Sequence, residues 1–128
     1  MSLSVGTERN GASVSGAGFD VRTLRCDATR ANVRVSGDLD ADGAAVLAQV
    51  IDSHLRAGRR FLRLHIGGVR SMSEDAVATV AAAHDRLLGR RGTMILTGVS
   101  ESMEAILRAA TPASPLLLVS PTAAEQLS

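Results

Sequence analysis

Two stretches decide the fold, VRVSGDLD at residues 33–40 and LHIGGVRSMSEDAVATV at residues 64–80. Each begins with alternating apolar and polar residues, which predicts a β-strand buried on one side. Each then passes through glycine to a residue that can cap a helix, Asp40 in the first stretch and either Ser71 or Ser73 in the second. A strand that leads into a helix, twice in succession, is typical of an α/β domain.

The periodicity outside these stretches extends the same alternation. Strands are predicted at residues 19–27, 31–36, 59–66, 93–97 and 116–119, and helices after Asp40, from Glu74 to Arg90 and after Ser100. The first two strands are expected to form a hairpin through residues 28–30. The predicted fold is therefore α/β, a small mixed β-sheet with helices packed mainly on one face, in the order β-β-α-β-α-β-α-β.

The apolar positions of these elements predict one core between the helices and one face of the sheet. Its predicted members are Leu47, Val50, Ile51, Leu62, Leu64, Ile66, Val77, Val80, Ile106 and Leu107. Residues 1–18 are rich in glycine, serine and alanine and show no periodicity, which predicts a flexible N-terminal tail whose deletion leaves thermal stability almost unchanged. Residues 19–128 are expected to form a single domain, with a turn of helix at 122–127.

Composition removes several classes of function. All 14 basic residues of the 128-residue chain are arginine, so chemistry that depends on lysine is excluded. With two phenylalanines as the only aromatic residues and a net charge of +1, the chain lacks the features of a nucleic-acid binder, and no nucleic-acid partner is expected. The single cysteine, Cys26, and the lack of a signal peptide or a membrane-spanning run favour a cytoplasmic location without an integral membrane segment.

Two arginine clusters stand out, Arg59, Arg60 and Arg63 in one and Arg90 and Arg91 in the other. Each is interpreted as solvated surface. A membrane or phosphate contact would require the two clusters to converge in the folded chain.

Candidate metal ligands and catalytic groups are weakly supported. Asp38, Asp40 and Asp42 are close in sequence, but the glycine and glutamate of a calcium loop do not follow them, so we interpret them as a helix cap with solvated acids. His84 is expected to be a hydrogen-bonded boundary histidine, whereas the dipole of the first helix favours a cation at His54. Neither histidine has a companion nucleophile in sequence. We therefore predict no catalytic residue, no metal site and no cofactor.

Over residues 19–119 the chain resembles a STAS domain, the fold of bacterial anti-sigma factor antagonists and of sulfate-transporter tails. The first motif of that family is a strand that runs into Gly-x-Leu-Asp. In this sequence Gly37, Leu39 and Asp40 match it.

The second family motif is Asp-Ser-Ser-Gly at the start of a helix, and a partner kinase phosphorylates its second serine. This sequence departs from the motif: Ser73 stands at the aspartate position, Glu74 and Asp75 at the two serines, and Ala76 at the glycine. The position of the regulated serine therefore carries an acid. An acidic residue often found near the end of the family's central strand is replaced by His65.

The resemblance implies a non-catalytic cytoplasmic protein-binding regulator, whose partner is an anti-sigma factor or a related kinase-like regulator. A soluble STAS subunit of a lipid-transport ABC system is the alternative. The implied partner-binding residues are Gly37, Asp38, Leu39, Asp40, Ser73, Glu74, Asp75 and Ala76. With Asp75 at the usual phosphoserine position, switching there is not expected, and Ser73 is a lesser candidate for phosphorylation. Asp38→Ala and Leu39→Arg are expected to weaken binding and to leave the fold intact.

Overall fold

The fold consists of one mixed β-sheet and the helices that cover it. The computed structural model describes residues 13–16, by their backbone only, and residues 18–113 and 116–119. The elements in chain order are β1 (Ser13–Gly16), β2 (Phe19–Cys26), β3 (Arg30–Leu39), α1 (Ala41–Arg56), β4 (Phe61–Met72), α2 (Glu74–Leu88), β5 (Thr93–Thr97), α3 (Glu101–Ala110) and β6 (Leu117–Val119). The described strands form a six-stranded sheet in the order of the chain. The first three are antiparallel, and β3 to β6 are parallel.

The predicted fold class is confirmed, and the predicted order of elements holds from β2 onward. The strand β1 is an addition, because it lies within the stretch predicted to be a flexible tail. It pairs with β2, with Val14 opposite Val21, so the edge of β2 supplies the backbone hydrogen bonds that order this segment despite its few apolar side chains. The rest of the predicted tail, residues 1–12 and 17, and the predicted helical turn at 122–127 lie outside the described residues.

One face of the sheet carries the core. Along β4, Leu62, Leu64 and Ile66 are buried, while Phe61 and Arg63 on the opposite face are exposed. The helices α1 and α2 pack on the buried face and against each other, and α3 packs against α2. The predicted one-sided sheet is thus confirmed.

The composition of the core differs from the prediction on the helices. Ile106 is 49% exposed, and Val50 and Val77 are only partly buried. The buried side of α2 is rotated by about one residue from the predicted stripe, which leaves Leu88 exposed and buries these residues instead: Ala76, Val80, Ala83, His84 and Leu87. The cause is the high alanine content of α2, because alanine fits either face and does not mark which one meets the sheet.

Strands β3 and β4 both continue through stretches predicted to be turns. β3 runs through Gly37 and Asp38 to Leu39, and β4 runs through the Gly67-Gly68 pair to Met72. Within the sequence of one strand, glycine indicates that the strand ends. Here β3 and β4 continue to pair with each other past their glycines, and shifts in register accommodate the residues that break the regular pairing. The extension carries both motif segments to the same end of the sheet.

Candidate functional site

The parallel pairing of β3 and β4 brings the two decisive stretches together at the carboxyl ends of the strands. Asp38 lies opposite Ser71, and Leu39 lies opposite Met72. The Ser71 hydroxyl donates to one oxygen of the Asp38 carboxylate at 3.0 Å, and the Arg70 guanidinium donates to the other at 3.1 Å. The hydrogen bond from Arg70, followed by that from Ser71, holds the pKa of the Asp38 carboxyl below its ordinary value. Asp38 is therefore an exposed, ionised acceptor with a fixed orientation.

Gly37 permits the close approach that sets this geometry. Its φ is +88°, and a Cβ at this position would overlap the carbonyl oxygen of Gly18. That same carbonyl accepts a hydrogen bond of 2.7 Å from the backbone N–H of Asp38. The first motif therefore requires glycine at residue 37, because the backbone at Gly18 leaves no room for a side chain there.

Two helices begin beside Asp38. Asp40 caps α1, because its carboxylate accepts from the backbone N–H of Gly43 at 2.9 Å. Ser73 caps α2 by accepting from the backbone N–H of Ala76 at 3.2 Å, and its own N–H donates to the Leu39 carbonyl. This decides between the two possible caps of α2. Ser71 is the partner of Asp38, and Ser73 is the cap.

Five exposed carboxylates lie at this end of the sheet and in the first turns of the two helices. We call them the acidic rim: Asp38, Asp40, Asp42, Glu74 and Asp75. Their positions at helix N-termini suit the helix dipole, which explains why so many acids are tolerated together. Four of them are among the predicted site residues.

Two other predicted site residues are buried, in contrast to the expectation that they contact a partner. Leu39 is 1% exposed and Ala76 is 0% exposed, so neither side chain is available to another protein. Both face the core because β3 and α2 each turn one side inward at this point. The structure assigns them a supporting role beneath Asp38 and Asp75.

A groove between α1 and α2 adjoins the rim and was not predicted from the sequence. It has a volume of about 490 Å³ and is lined mainly by alanine, with Ala41 and Asp75 at the end that borders the rim. The available signal was alanine at helical spacing on both helices, Ala41, Ala44, Ala45 and Ala48 on the first and Ala78 and Ala82 on the second. Small side chains leave a shallow channel where larger ones would have filled the space.

The histidines lie away from the rim. His54 is 6% exposed, and its ring contacts Thr23 Oγ1 through Nε2 at 3.1 Å and the Arg59 guanidinium through Nδ1 at 3.3 Å. Burial, with the nearby Arg59 charge, lowers the pKa of His54 to about 4. The expectation of a cation at His54 is therefore not met, because burial and the Arg59 charge both disfavour the imidazolium. His84 is buried on α2.

His65 lies on the face of the sheet that none of the described helices covers, which we call the uncovered face. Its Nδ1 is 2.7 Å from Thr97 Oγ1 on the neighbouring strand. Burial lowers the pKa of His65, and the charges of Arg63 and Arg34 add to the effect. Since β4 continues beyond His65 to Met72, this histidine is in the middle of its strand and remote from the rim.

Within the ranges 13–16, 18–113 and 116–119, no three or more His, Cys, Asp or Glu side chains are grouped so that they could hold a metal ion. No helix in those ranges is long and apolar enough to cross a membrane.

Comparison with known proteins identifies the family to which this fold belongs. A family model described as "Mlab, STAS domain" matches residues 23–117. The chain belongs to the STAS domain family, as the two motifs predict. A search of curated proteins found no sequence match.

Solved structures share the fold at low sequence identity. The anti-sigma factor antagonist SpoIIAA in its unphosphorylated form superposes with a TM-score of 0.69 at 16% identity, over 84% of this chain and 94% of that one. The Bacillus cell fate determinant SpoIIAA in its phosphorylated form gives 0.65 at 15% identity, over 84% and 97%. The NMR structure of the protein TM1081 gives 0.65 at 14% identity, over 83% and 85%.

Proposed function

We propose that this STAS domain is a non-catalytic, cytoplasmic protein-binding regulator that docks an anti-sigma factor or a related kinase-like protein through the acidic rim. One observation carries the proposal. Segments 33 residues apart, at Asp38 and Ser71, meet to form a rigid, exposed acidic surface at the carboxyl ends of β3 and β4. Exposed polar residues held by a rigid scaffold are typical of a binding surface.

The chemistry of the rim defines the partner surface that it fits. Its carboxylates are acceptors only, so the partner should present arginine, lysine or backbone N–H groups. Asp38 is held in place by Arg70 and Ser71, which reduces the entropy lost when a partner donor binds to its remaining lone pairs. The alanine-lined groove beyond Asp75 offers a shallow apolar surface next to these charges.

We further propose that phosphorylation does not switch the rim, which keeps one fixed affinity for its partner. By resemblance, Asp75 occupies the position at which the family carries its regulated serine. A phosphoserine brings about −1.5 to −2 charges and three acceptor oxygens, so one carboxylate is a partial substitute. In the first turn of α2, exposed to solvent, the charge of Asp75 is also compatible with the helix dipole.

The partner is tested by affinity capture from the native cell followed by mass spectrometry. The wild type is compared with Glu74→Gln/Asp75→Asn, which removes two rim charges, and with Asp52→Asn/Asp85→Asn, which removes the same charge from the opposite ends of α1 and α2. We expect an anti-sigma factor or kinase-like protein to be captured by the wild type and the control and lost with the rim variant. Recovery of the ATPase of a lipid-transport system would support the alternative role as a transporter subunit.

Asp38→Asn tests the fixed acceptor separately. The asparagine amide donates where the carboxylate accepts, so affinity for the purified partner should fall by about tenfold while the melting temperature stays near that of the wild type. The matched control is Asp52→Asn near the opposite end of α1, which also loses a hydrogen-bonded carboxylate that pairs with an arginine. Equal affinity of wild type and Asp38→Asn would remove Asp38 from the interface.

The absence of a phosphorylation switch is tested in two ways. The protein isolated from cells is examined by mass spectrometry, and the partner is titrated with Asp75→Ser and Asp75→Ala. We expect no substantial phosphate on Ser71 or Ser73. A phosphate on either serine that changes partner affinity tenfold or more would show that the switch has moved along the segment before α2.

A further inference from the structure

The end of the molecule opposite the acidic rim is strongly basic, because the two arginine clusters converge there. The loop between α1 and β4 contacts the β2–β3 hairpin, since Arg59 Nε donates to the Asp27 carbonyl at 2.6 Å. The loop between α2 and β5 reaches the same place, where Arg90 donates to the Leu55 carbonyl at 2.7 Å and the N–H of Thr93 donates to the Arg60 carbonyl at 2.8 Å. The six arginines that these loops and the hairpin present are called the basic end: Arg25, Arg30, Arg59, Arg60, Arg90 and Arg91.

The charge of the basic end is not neutralised locally. None of the ion pairs found among residues 18–113 and 116–119 includes one of its six arginines. Three carboxylates are near: Asp27 accepts from the backbone N–H groups of Thr29 and Arg30, Asp52 pairs with Arg56 and Arg86, and Asp85 lies in the last turn of α2. Even with these three, the positive charges are in excess.

An aromatic side chain stands at the centre of this charge. Phe61, the first residue of β4, is 36% exposed. The guanidinium of Arg30 lies 6.0 Å from the centre of its ring, and that of Arg60 lies 5.6 Å away. A depression of about 450 Å³ opens beside the ring, and Arg25, Arg30 and Arg63 line it.

We propose that the basic end is a docking surface for a membrane that contains anionic phospholipids. The guanidinium groups contact lipid phosphates, and the ring of Phe61 enters the interface between headgroups and acyl chains. Arginine in contact with phosphate forms strong, charge-assisted hydrogen bonds, and an apolar anchor together with a basic patch supplies the two signals that reversible membrane attachment requires.

The net charge of +1 does not weaken this proposal, because the two charged ends are far apart. β4 spans the sheet from Phe61 at the basic end to Met72 at the rim, and its twelve residues at about 3.3 Å each place the two ends roughly 35 Å apart. Interactions between exposed charges are screened beyond about 8 Å at physiological salt. A membrane that contacts Arg30 and Arg60 would therefore not be repelled by the rim, which would face the solvent.

A membrane fits this surface better than an acidic protein segment does. The arginines come from three separate connections around one end of the molecule and surround an exposed ring, which suits a broad, fluid layer of phosphate groups. An extended acidic peptide is bound by a row of backbone donors along a sheet edge or by a groove. Here the charges surround Phe61 and do not follow a sheet edge.

Vesicle flotation tests the proposal with the full chain. Vesicles of phosphatidylglycerol and phosphatidylcholine are compared with vesicles of phosphatidylcholine alone, at low and high salt. We expect the wild type to bind only the anionic vesicles and to be released by salt. Arg30→Gln/Arg60→Gln should lower the partition coefficient about tenfold or more, while Arg22→Gln/Arg34→Gln, with equal charge lost from the uncovered sheet face, should lower it much less.

Fluorescence tests the part assigned to Phe61, since the chain contains no tryptophan. Phe61→Trp should show a blue shift when anionic vesicles are added, and Ile106→Trp, at an exposed position on α3, should not. The proposal is wrong if the wild type does not bind anionic vesicles, if the Arg30 and Arg60 changes leave binding unaltered, or if Phe61→Trp shows no shift. Binding of polyglutamate in the absence of vesicle binding would assign the basic end to an acidic protein.

Discussion

His54 connects α1, β2 and the loop before β4 through a single imidazole ring. Because the Arg59 guanidinium can only donate, Nδ1 is the acceptor, and in the neutral ring the proton is on Nε2, which donates to Thr23 Oγ1. Protonation of Nδ1 would place two donors against each other in a site that excludes water. The folded protein therefore binds this proton less readily than the unfolded chain does.

The pH dependence of stability follows from that difference. Between about pH 6.5 and about pH 4 the unfolded chain holds a proton on residue 54 that the folded chain lacks, so the free energy of unfolding should fall as the pH is lowered through this window, by up to about 3 kcal/mol. His65, with its lowered pKa, acts in the same direction. Urea unfolding of wild type and His54→Gln at several pH values measures the effect. An equally steep pH dependence in the variant would show that His54 is not its source.

The burial of Leu39 and the exposure of Ile106 predict effects of mutation on stability that are opposite to those expected from the sequence. Leu39 is 1% exposed, so Leu39→Ala should cost about 2–5 kcal/mol of stability, and Leu39→Arg should unfold the domain. Ile106 is 49% exposed, so Ile106→Ala should change stability by about 0.5 kcal/mol or less. Chemical denaturation of both alanine variants provides the comparison, and similar losses at the two positions would contradict the packing described for α3 and β3.

At the level of the elements, Ser71 and Ser73 both precede α2 and have different roles. Ser73→Ala removes the cap and should lower stability by about 1 kcal/mol, whereas Ser71→Ala removes only a donor to the exposed Asp38 and should have a much smaller effect. Thermal unfolding of the two variants distinguishes them. A larger loss for Ser71→Ala would mean that the helix begins earlier than at Glu74.

The elements show why part of the fold was predictable from sequence and part was not. Regular alternation at Leu62, Leu64 and Ile66 and the cap at Asp40 are local signals, and both predictions are confirmed. The extensions of β3 and β4 and the burial of Leu39 depend on pairing between distant residues, which no local pattern contains. β1 was missed for the same reason, since its backbone partner is β2. The family motifs located the rim, but the alanine-lined groove required the two helices to be placed side by side.

In the whole molecule, β1 covers the edge of β2 and should add to the stability of the sheet. A chain that begins at residue 19 lacks β1, which exposes the edge of β2, and it also lacks the Gly18 carbonyl that accepts from the Asp38 N–H. It should melt at a lower temperature than a chain that begins at residue 13, in contrast to the expectation from sequence. Differential scanning calorimetry of the two chains measures the difference. Equal melting temperatures would show that β1 does not contribute to stability.

The direction of the helices gives the whole molecule its separation of charge. Each helix begins at the carboxyl end of a strand and returns to the amino end of the next strand, so the acids of the first turns collect at one end: Asp42, Glu74, Asp75, Glu101 and Glu104. Arginines in or after the last turns collect at the other end. The helix dipole favours both distributions. Each helix favours acids at its first turn and arginines at its last turn, and because the helices run in the same direction the molecule has one acidic end and one basic end.

The distance in sequence between Asp38 and Ser71 also determines when the rim can form during folding. The β2–β3 hairpin closes a short loop, whereas β3 pairs with β4 only after the chain has passed through α1. Closing the longer loop costs more entropy, so amide protons of the hairpin should gain protection from exchange earlier than those at residues 69–72. A chain still emerging from the ribosome can hold a complete hairpin and yet lack the acidic rim. The rim is thus a property of the finished molecule, and only chains that have completed folding present it.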